Sequence, residues 1–174
     1  MTNIADLKTM KIEIITTGDE LMSGLTQDGN FRWAAALLYD LGFDIAYHTT
    51  VGDVEEAIMS ALGAAQERAD AVIVTGGLGP TPDDLTAEIA SLFFGARLEF
   101  NAVAYSMMEE RLSKRGRDVN ESNRKQAYLP EGSEILKNNW GTAPGFCYLH
   151  EGVKFYFLPG VPREFMAMMG EYVV

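Results

Sequence analysis

The sequence predicts a doubly wound α/β domain built on a mostly parallel sheet. Three observations carry that prediction. Strand-like and helix-like patterns alternate three times in the first half of the chain. The segment Ala71–Thr75 (AVIVT) is wholly apolar, as a central strand covered on both faces is. Each of the three strands also runs into a loop rich in Gly, Asp or Thr. In open α/β sheets ligands bind there, beyond the carboxyl ends of the strands.

Taken in order, residues 1–10 read as a flexible tail and 11–174 as a single domain. Lys11–Thr16 (KIEIIT) is rich in β-branched residues and predicts a buried strand. After the loop Thr17–Gly29, Asn30 is placed to cap a helix to Leu41, with Phe31, Ala34, Leu38 and Leu41 on its apolar face. Gly42 ends it, and Phe43–Val51 is the second strand. Asp53 then caps a helix whose first turn carries Glu55 and Glu56, where the helix dipole favours anions. After Ala71–Thr75 comes the loop Gly76–Asp84 and a helix to about Phe94. Asn101 caps a further helix to about Gly116, and the polar stretch Asp118–Leu129 holds another short one. Ser133–Leu136, Gly145–Leu149 and Val153–Leu158 read as strands, the last two joined as a hairpin at Glu151-Gly152. Leu158–Glu164 turns into a final helix. That helix reaches Tyr172-Val173-Val174 without a stop signal, which suggests a domain edge or a larger parent protein.

Composition narrows the function. The chain has 174 residues, enough for one sizeable core, with 47% hydrophobic and 22% charged residues. Its formal net charge is -11, so nucleic acid polymers and anionic membrane surfaces are excluded as partners. One cysteine, Cys147 in GFCYL, excludes an internal disulfide and reads as a core residue. His48 and His150 lack metal-ligand spacing, and Ser23, Ser60 and Ser91 lack a nucleophile elbow. No apolar run approaches the ~20 residues of a membrane helix. The start, MTNIADLKTMKIEI, carries no signal-peptide core, so the expected location is cytoplasmic.

The chemistry concentrates in loops. Thr75–Thr86 (TGGLGPTPDDLT) sits where a central strand gives way to a helix. Gly76, Gly77 and Gly79, with Leu78 and Thr81 between and after them, bring backbone N–H groups close to an anion. This is neither a dinucleotide fingerprint nor a P-loop, because no Lys follows the glycines. Asp83 and Asp84 beside such a cradle would repel a phosphate unless a hard divalent cation lies between them. Alternatively, Asp83 caps the helix and the glycines only make a turn. Asp19 and Glu20, in TGDELMSG, either bind a metal or a ribose hydroxyl or are solvated loop acids. Asp53, after the second strand, is either a metal ligand or a plain N-cap. Asn138, Gly141 and Thr142 in NNWGTAPG, with Pro159 and Gly160 in LPGVP, form turns whose polar members could contact a base, ribose or phosphate. Arg117–Gln126 is either a solvated helix or a source of Arg and Asn for a phosphate.

These segments, TTGDELMSG, the Asn30 helix, VGD, TGGLGPTPDDLT, NESNRKQAYLPEG, NNWGTAPGF and LPGVPRE, occur in the order found in one family. Over about residues 10–170 the chain resembles the N-terminal domain of the competence/damage-inducible CinA proteins, of the molybdopterin-binding, MoaB/Mog-like superfamily. The resemblance implies a three-layer α/β/α sandwich. It implies that Thr75, Gly76, Gly77, Leu78, Gly79 and Thr81, with Asn30, Asn138, Gly141, Thr142, Pro159 and Gly160, bind the phosphate or nucleotide. Asp84, Asp53, Asp19 and Glu20 are the implied catalytic acids, and Asp84, Asp83 and Asp53 the implied metal site for Mg, Mn or Co. The implied activity is hydrolysis of ADP-ribose to AMP and ribose 5-phosphate. The alternatives are a molybdopterin-binding or nucleotidyl-transfer role in molybdenum cofactor biosynthesis, or a non-catalytic nucleotide-binding module. The implied partner is a small nucleotide or pterin phosphate, in a homo-oligomer. The deamidase domain that completes longer family members has no room in this chain. Two departures, Gly29 before Asn30 and Val54 after Asp53, touch the edge of the implied site.

Overall fold

The computed structural model describes residues 10–174, so all of the expected tail but Met10 lies outside the described residues. In chain order the first elements are β1 (Ile12–Thr17), α1 (Asp19–Met22), α2 (Gly29–Asp40), β2 (Ile45–Val51), α3 (Glu55–Arg68) and β3 (Ala71–Thr75). Then come α4 (Thr86–Phe94), β4 (Leu98–Phe100), α5 (Ala102–Ser113), α6 (Glu121–Lys125) and β5 (Tyr128–Pro130). The last are β6 (Glu134–Leu136), β7 (Gly145–His150), β8 (Val153–Leu158), α7 (Pro162–Met168) and a π-helical turn, Met169–Val173.

The main sheet has the order β2-β1-β3-β8-β7-β6. β2, β1, β3 and β8 run parallel, and β7 and β6 are antiparallel additions at one edge. Successive residues of the central strands face opposite ways. Ile15, Val72 and Val74 pack on the side covered by α3, α4 and α5. Ile14 and Ile73 pack on the side covered by α2 and α7. Helices therefore clothe both faces, and the fold is the expected three-layer α/β/α sandwich. Phe146, Phe155, Phe157 and Phe165 are fully buried, each contributing about 1.5–3 kcal/mol of apolar burial.

The predicted alternation holds, with local corrections. Phe43 is not in β2: its N–H donates to Leu38 O, 2.9 Å, so it closes the end of α2. Neither Asn30 nor Asp53 is an N-cap. Asp28 caps α2, accepting from the Phe31 N–H at 2.8 Å, and Val54 holds the cap position of α3 without a side-chain bond. Asn101 does cap its helix, accepting from the Val103 and Ala104 N–H groups. Glu151 and Gly152 both have positive φ, 47° and 89°, as the tight β7–β8 hairpin requires. The antiparallel pair β4–β5, which closes over α4, was not anticipated. Cys147 is buried, and burial first, then its bond to Glu134, pushes its thiol up to about 11, as suits an inert core residue.

Candidate functional site

The four parallel strands end at one edge of the sheet, and their following loops meet there. β1 leads through Gly18 into α1, whose first turn carries Asp19 and Glu20. β2 leads to Gly52 and Asp53, β3 to Gly76–Gly79, and β8 to Pro159-Gly160. Between them lies a cleft of about 590 Å³. Of the expected residues, Thr75, Gly76, Gly77, Leu78, Gly79, Thr81, Asn30, Thr142, Pro159 and Gly160 line it, as do the acids Glu20, Asp53, Asp83 and Asp84. Asp19, Asn138 and Gly141 do not line it.

The β3–α4 loop is the floor. Gly77 adopts φ 65°, and a Cβ there would run into the Thr86 hydroxyl. Thr86 Oγ1 and Thr17 Oγ1, which flank this loop, are buried without a hydrogen-bond partner, as are Asn30 Oδ1 and Gln126 Oε1. Buried polar atoms are ordinarily paired, so these four stand out, and Thr17, Asn30 and Gln126 belong to residues that line the cleft, while Thr86 lies behind Gly77.

Asn30 does a different job from the one its sequence position suggests. Only 9% exposed, it donates from Nδ2 to Thr75 Oγ1, 3.1 Å, and to Gly160 O, 2.9 Å. Thr75 in turn donates to Pro159 O at 3.1 Å. These bonds tie α2, β3 and the β8 loop into one wall. Thr75 and Asn30 Nδ2 are thereby committed to the protein, and Asn30 Oδ1 has no partner within it.

Asp84 turns back on its own loop, where its Oδ2 accepts from the Thr81 N–H, 2.8 Å, and from the Thr81 hydroxyl. Asp83 is exposed and does not cap α4, whose cap position is held by Leu85. Asp19 and Asp53 exchange bonds: Asp53 N–H donates to Asp19 Oδ1 at 3.0 Å and Asp19 N–H to Asp53 Oδ2 at 3.3 Å. Burial, and behind it the charges of Asp19, Glu20 and Asp84, push Asp53 above the ordinary carboxylate range, against the lowering effect of the Asp19 N–H.

The expected metal set of Asp53, Asp83 and Asp84 does not form a self-sufficient cage. Among the described residues no three His, Cys, Asp or Glu side chains gather tightly enough to hold an ion by themselves. Thr81 holds one oxygen of Asp84, and Asp83 lines the cleft as an exposed side chain. What the cleft does offer is six carboxylates on its walls, Glu20, Asp28, Asp53, Asp83, Asp84 and Glu164, and no Lys, Arg or His. That donor set fits Mg²⁺, which is ordinarily held by one or two carboxylates plus the phosphates of its ligand.

Three features were missed from sequence. Asp28 is one. Burial raises its carboxyl, but hydrogen bonds from His48, Phe31 and Thr16 and the charge of His48 together draw it below the usual range. Gln126 is the second, donating from Nε2 to Leu78 O at 3.1 Å. Beside it Lys125 Nζ donates to Thr81 O, 3.0 Å, and Pro82 O, 3.4 Å. The Arg117–Gln126 segment thus braces the loop from outside, while Arg117 stays exposed and Arg124 lies over Phe100. The third is Glu164, to which Asn138 donates a hydrogen bond and for which Gly141 leaves room.

The probable molybdopterin binding domain pattern matches residues 13–174. The chain belongs to that family. Within the molybdopterin-binding domain family it is similar to a CinA-like protein of Dictyoglomus turgidum, 43% identical over 165 residues. The match covers 95% of this chain and 40% of that protein, so the chain spans about two-fifths of the relative's length. The crystal structure of CinA from Thermoplasma acidophilum superposes with a TM-score of 0.87 at 32% identity, covering 94% of this chain and 96% of that one. MoaB of Thermus thermophilus shares the fold, with a TM-score of 0.64 at 18% identity over 95% of this chain and 90% of that one. Among the described residues no helix is long and apolar enough to cross a membrane.

Proposed function

We propose that the cleft binds a phosphate-bearing nucleotide or pterin together with a divalent cation, and that its chemistry is at a phosphoanhydride. The observation that carries this is the pairing of the Gly76–Gly79 floor and the unpaired Thr17 hydroxyl beside it with walls whose only charged side chains are carboxylates. Backbone N–H groups of the floor donate to phosphate oxygens, and the start of α4 adds positive potential. Asp53, with Glu20, would hold the cation, which when bound neutralises phosphate charge and polarises the phosphorus centre. Asp84, fixed through Oδ2 by Thr81, keeps Oδ1 to accept a proton-bearing group in the cleft.

The hydrolytic form of this reading is cleavage of ADP-ribose. Water oxygen bonds to phosphorus, the bridging P–O bond breaks, and AMP and ribose 5-phosphate leave. It rests on the resemblance of TGGLGPTPDD, GTAPGF and LPGVP to the CinA branch. The family pattern supports a second form, in which the same floor holds the terminal phosphate of molybdopterin for adenylylation or metal insertion. A homo-oligomer is likewise proposed from resemblance.

A product-release screen of ADP-ribose, other nucleoside diphosphate derivatives, and molybdopterin with ATP, each with Mg²⁺, Mn²⁺ or Co²⁺, separates the two. In the hydrolytic form, Asp84→Asn loses turnover by a hundredfold or more on the order expected for removing one electrostatic group, with an unchanged melting temperature. Full activity in that variant overturns the assignment. Tight binding without turnover under any metal indicates a binding module.

A further inference from the structure

Glu164, in the first turn of α7, is held in place by devices that a surface glutamate would not need. Asn138 Nδ2 donates to Glu164 Oε2 at 2.7 Å and to Ala143 O at 2.8 Å. Asn138 Oδ1 accepts from the Trp140 N–H, 2.9 Å, and the Gly141 N–H, 2.8 Å. Both N–H donors and both lone pairs of the Asn138 side chain are thus engaged in shaping the 138–143 turn and fixing this carboxylate. Gly141 completes the mount: a Cβ there would occupy the space of the Glu164 carboxylate. No Lys, Arg or His pairs with Glu164 among the described residues. It lines the same cleft as the glycine floor, on the wall formed by Thr142, Ala143 and Pro162.

A fixed, unpaired carboxylate in a phosphate cleft opposes the ligand's charge, so it must gain from donors elsewhere on that ligand. Its oxygens are acceptors only, and their spacing suits two adjacent donors. We propose that Glu164 is a specificity-determining residue that reads a pair of neighbouring donors on the ligand, away from the phosphate on the floor. Two chemical groups present such a pair: the cis-diol of a ribose, and the amino-lactam edge shared by guanine and pterins. The adenine base edge does not, because a donor there lies next to an acceptor. The inference rests on the phosphate-cleft reading above.

Calorimetric titration in Mg²⁺ with inorganic pyrophosphate, AMP, 2′,3′-dideoxy-AMP and GMP tests it. The native chain is expected to prefer AMP to its dideoxy form, or GMP to AMP, by about tenfold, the scale of hydrogen bonds to a charged group. E164Q is expected to shrink that preference to within about twofold. Pyrophosphate should bind E164Q as well or more tightly, since one negative charge is gone. Loss of the AMP preference identifies the diol, and loss of the GMP preference the amino-lactam edge. E164D, which keeps the charge but shortens the reach, gives the same readout if E164Q melts early. A preference that survives E164Q, or nucleotide binding without any preference in the native chain, overturns the inference and leaves the cleft reading standing. Failure of the native chain to bind pyrophosphate or any nucleotide overturns both.

Discussion

Asp19 and Asp53 secure each other's backbones, each carboxylate accepting the other's N–H across the ends of β1 and β2. The exchange holds two acids together that repel as charges, and a divalent cation would relieve that repulsion.

Asp53→Asn keeps an oxygen acceptor for the Asp19 N–H and removes the charge. Its melting temperature at neutral pH is expected to match or exceed the native value, while Mg²⁺ affinity measured with pyrophosphate falls by about tenfold or more. The pH dependence has a definite sign. The folded value of Asp53 is raised, so the folded chain binds its proton more tightly than the unfolded one. Its contribution to stability is therefore favourable at low pH. That contribution is lost as pH rises from the ordinary 3.8 through the raised value. Melts across that window should show a decline in the native chain that Asp53→Asn lacks.

Asn30 is the bridge whose chemistry permits no charge. In Asn30→Asp the Nδ2 donor becomes a second oxygen, set against Gly160 O and Thr75 Oγ1. Denaturant unfolding should register a loss of about 1–3 kcal/mol. Asn30→Ala, which leaves the partners unpaired without adding repulsion, should lose less. Both should weaken pyrophosphate binding, because the Gly160 wall is no longer tied to β3.

Asp28 joins the helix α2 cap to His48, whose Nε2 lies 3.2 Å from Asp28 Oδ2 and whose ring stacks on Phe31 at 3.6 Å. Asp28→Ala is expected to cost about 1 kcal/mol through the lost cap, and Asp28→Asn less. The folded carboxyl lies below its ordinary 3.8, so the stability it adds is present above 3.8 and lost as pH falls through the depressed value. His48→Ala should move the Asp28 carboxyl resonance to a higher titration midpoint by NMR.

How much of this was legible follows from the residues. The strand endings were, because AVIVT is too apolar to lie anywhere but in a covered sheet, KIEIIT is rich in β-branched residues, and Gly and Asp follow them. The edge pair β4–β5 was not: each strand has three residues, and Leu98–Phe100 finds its partner only after α5 and α6. Asn30 and Asp53 read as N-caps because Asn and Asp are among the best caps, and local sequence does not tell a cap from a bridge reaching another strand. Asn138 and Gly141 carried the signal of a ligand loop, yet they act on Glu164. The acid itself was hidden, since a glutamate in a first helical turn is ordinarily explained by the helix dipole.

Gly160 lies against the backbone of Gly76, where its Cβ position is 3.2 Å from Gly76 Cα, and β8 pairs with β3 beneath that contact. These partners are separated by about half the chain, so their meeting is a high-contact-order event that must follow much of the folding between them. Until β8 arrives, β3 presents AVIVT, uncharged and β-prone, as an open edge to other chains. Completing the Gly160 wall of the cleft and hiding this aggregation-prone segment are therefore the same step, and a lesion that slows one exposes the other.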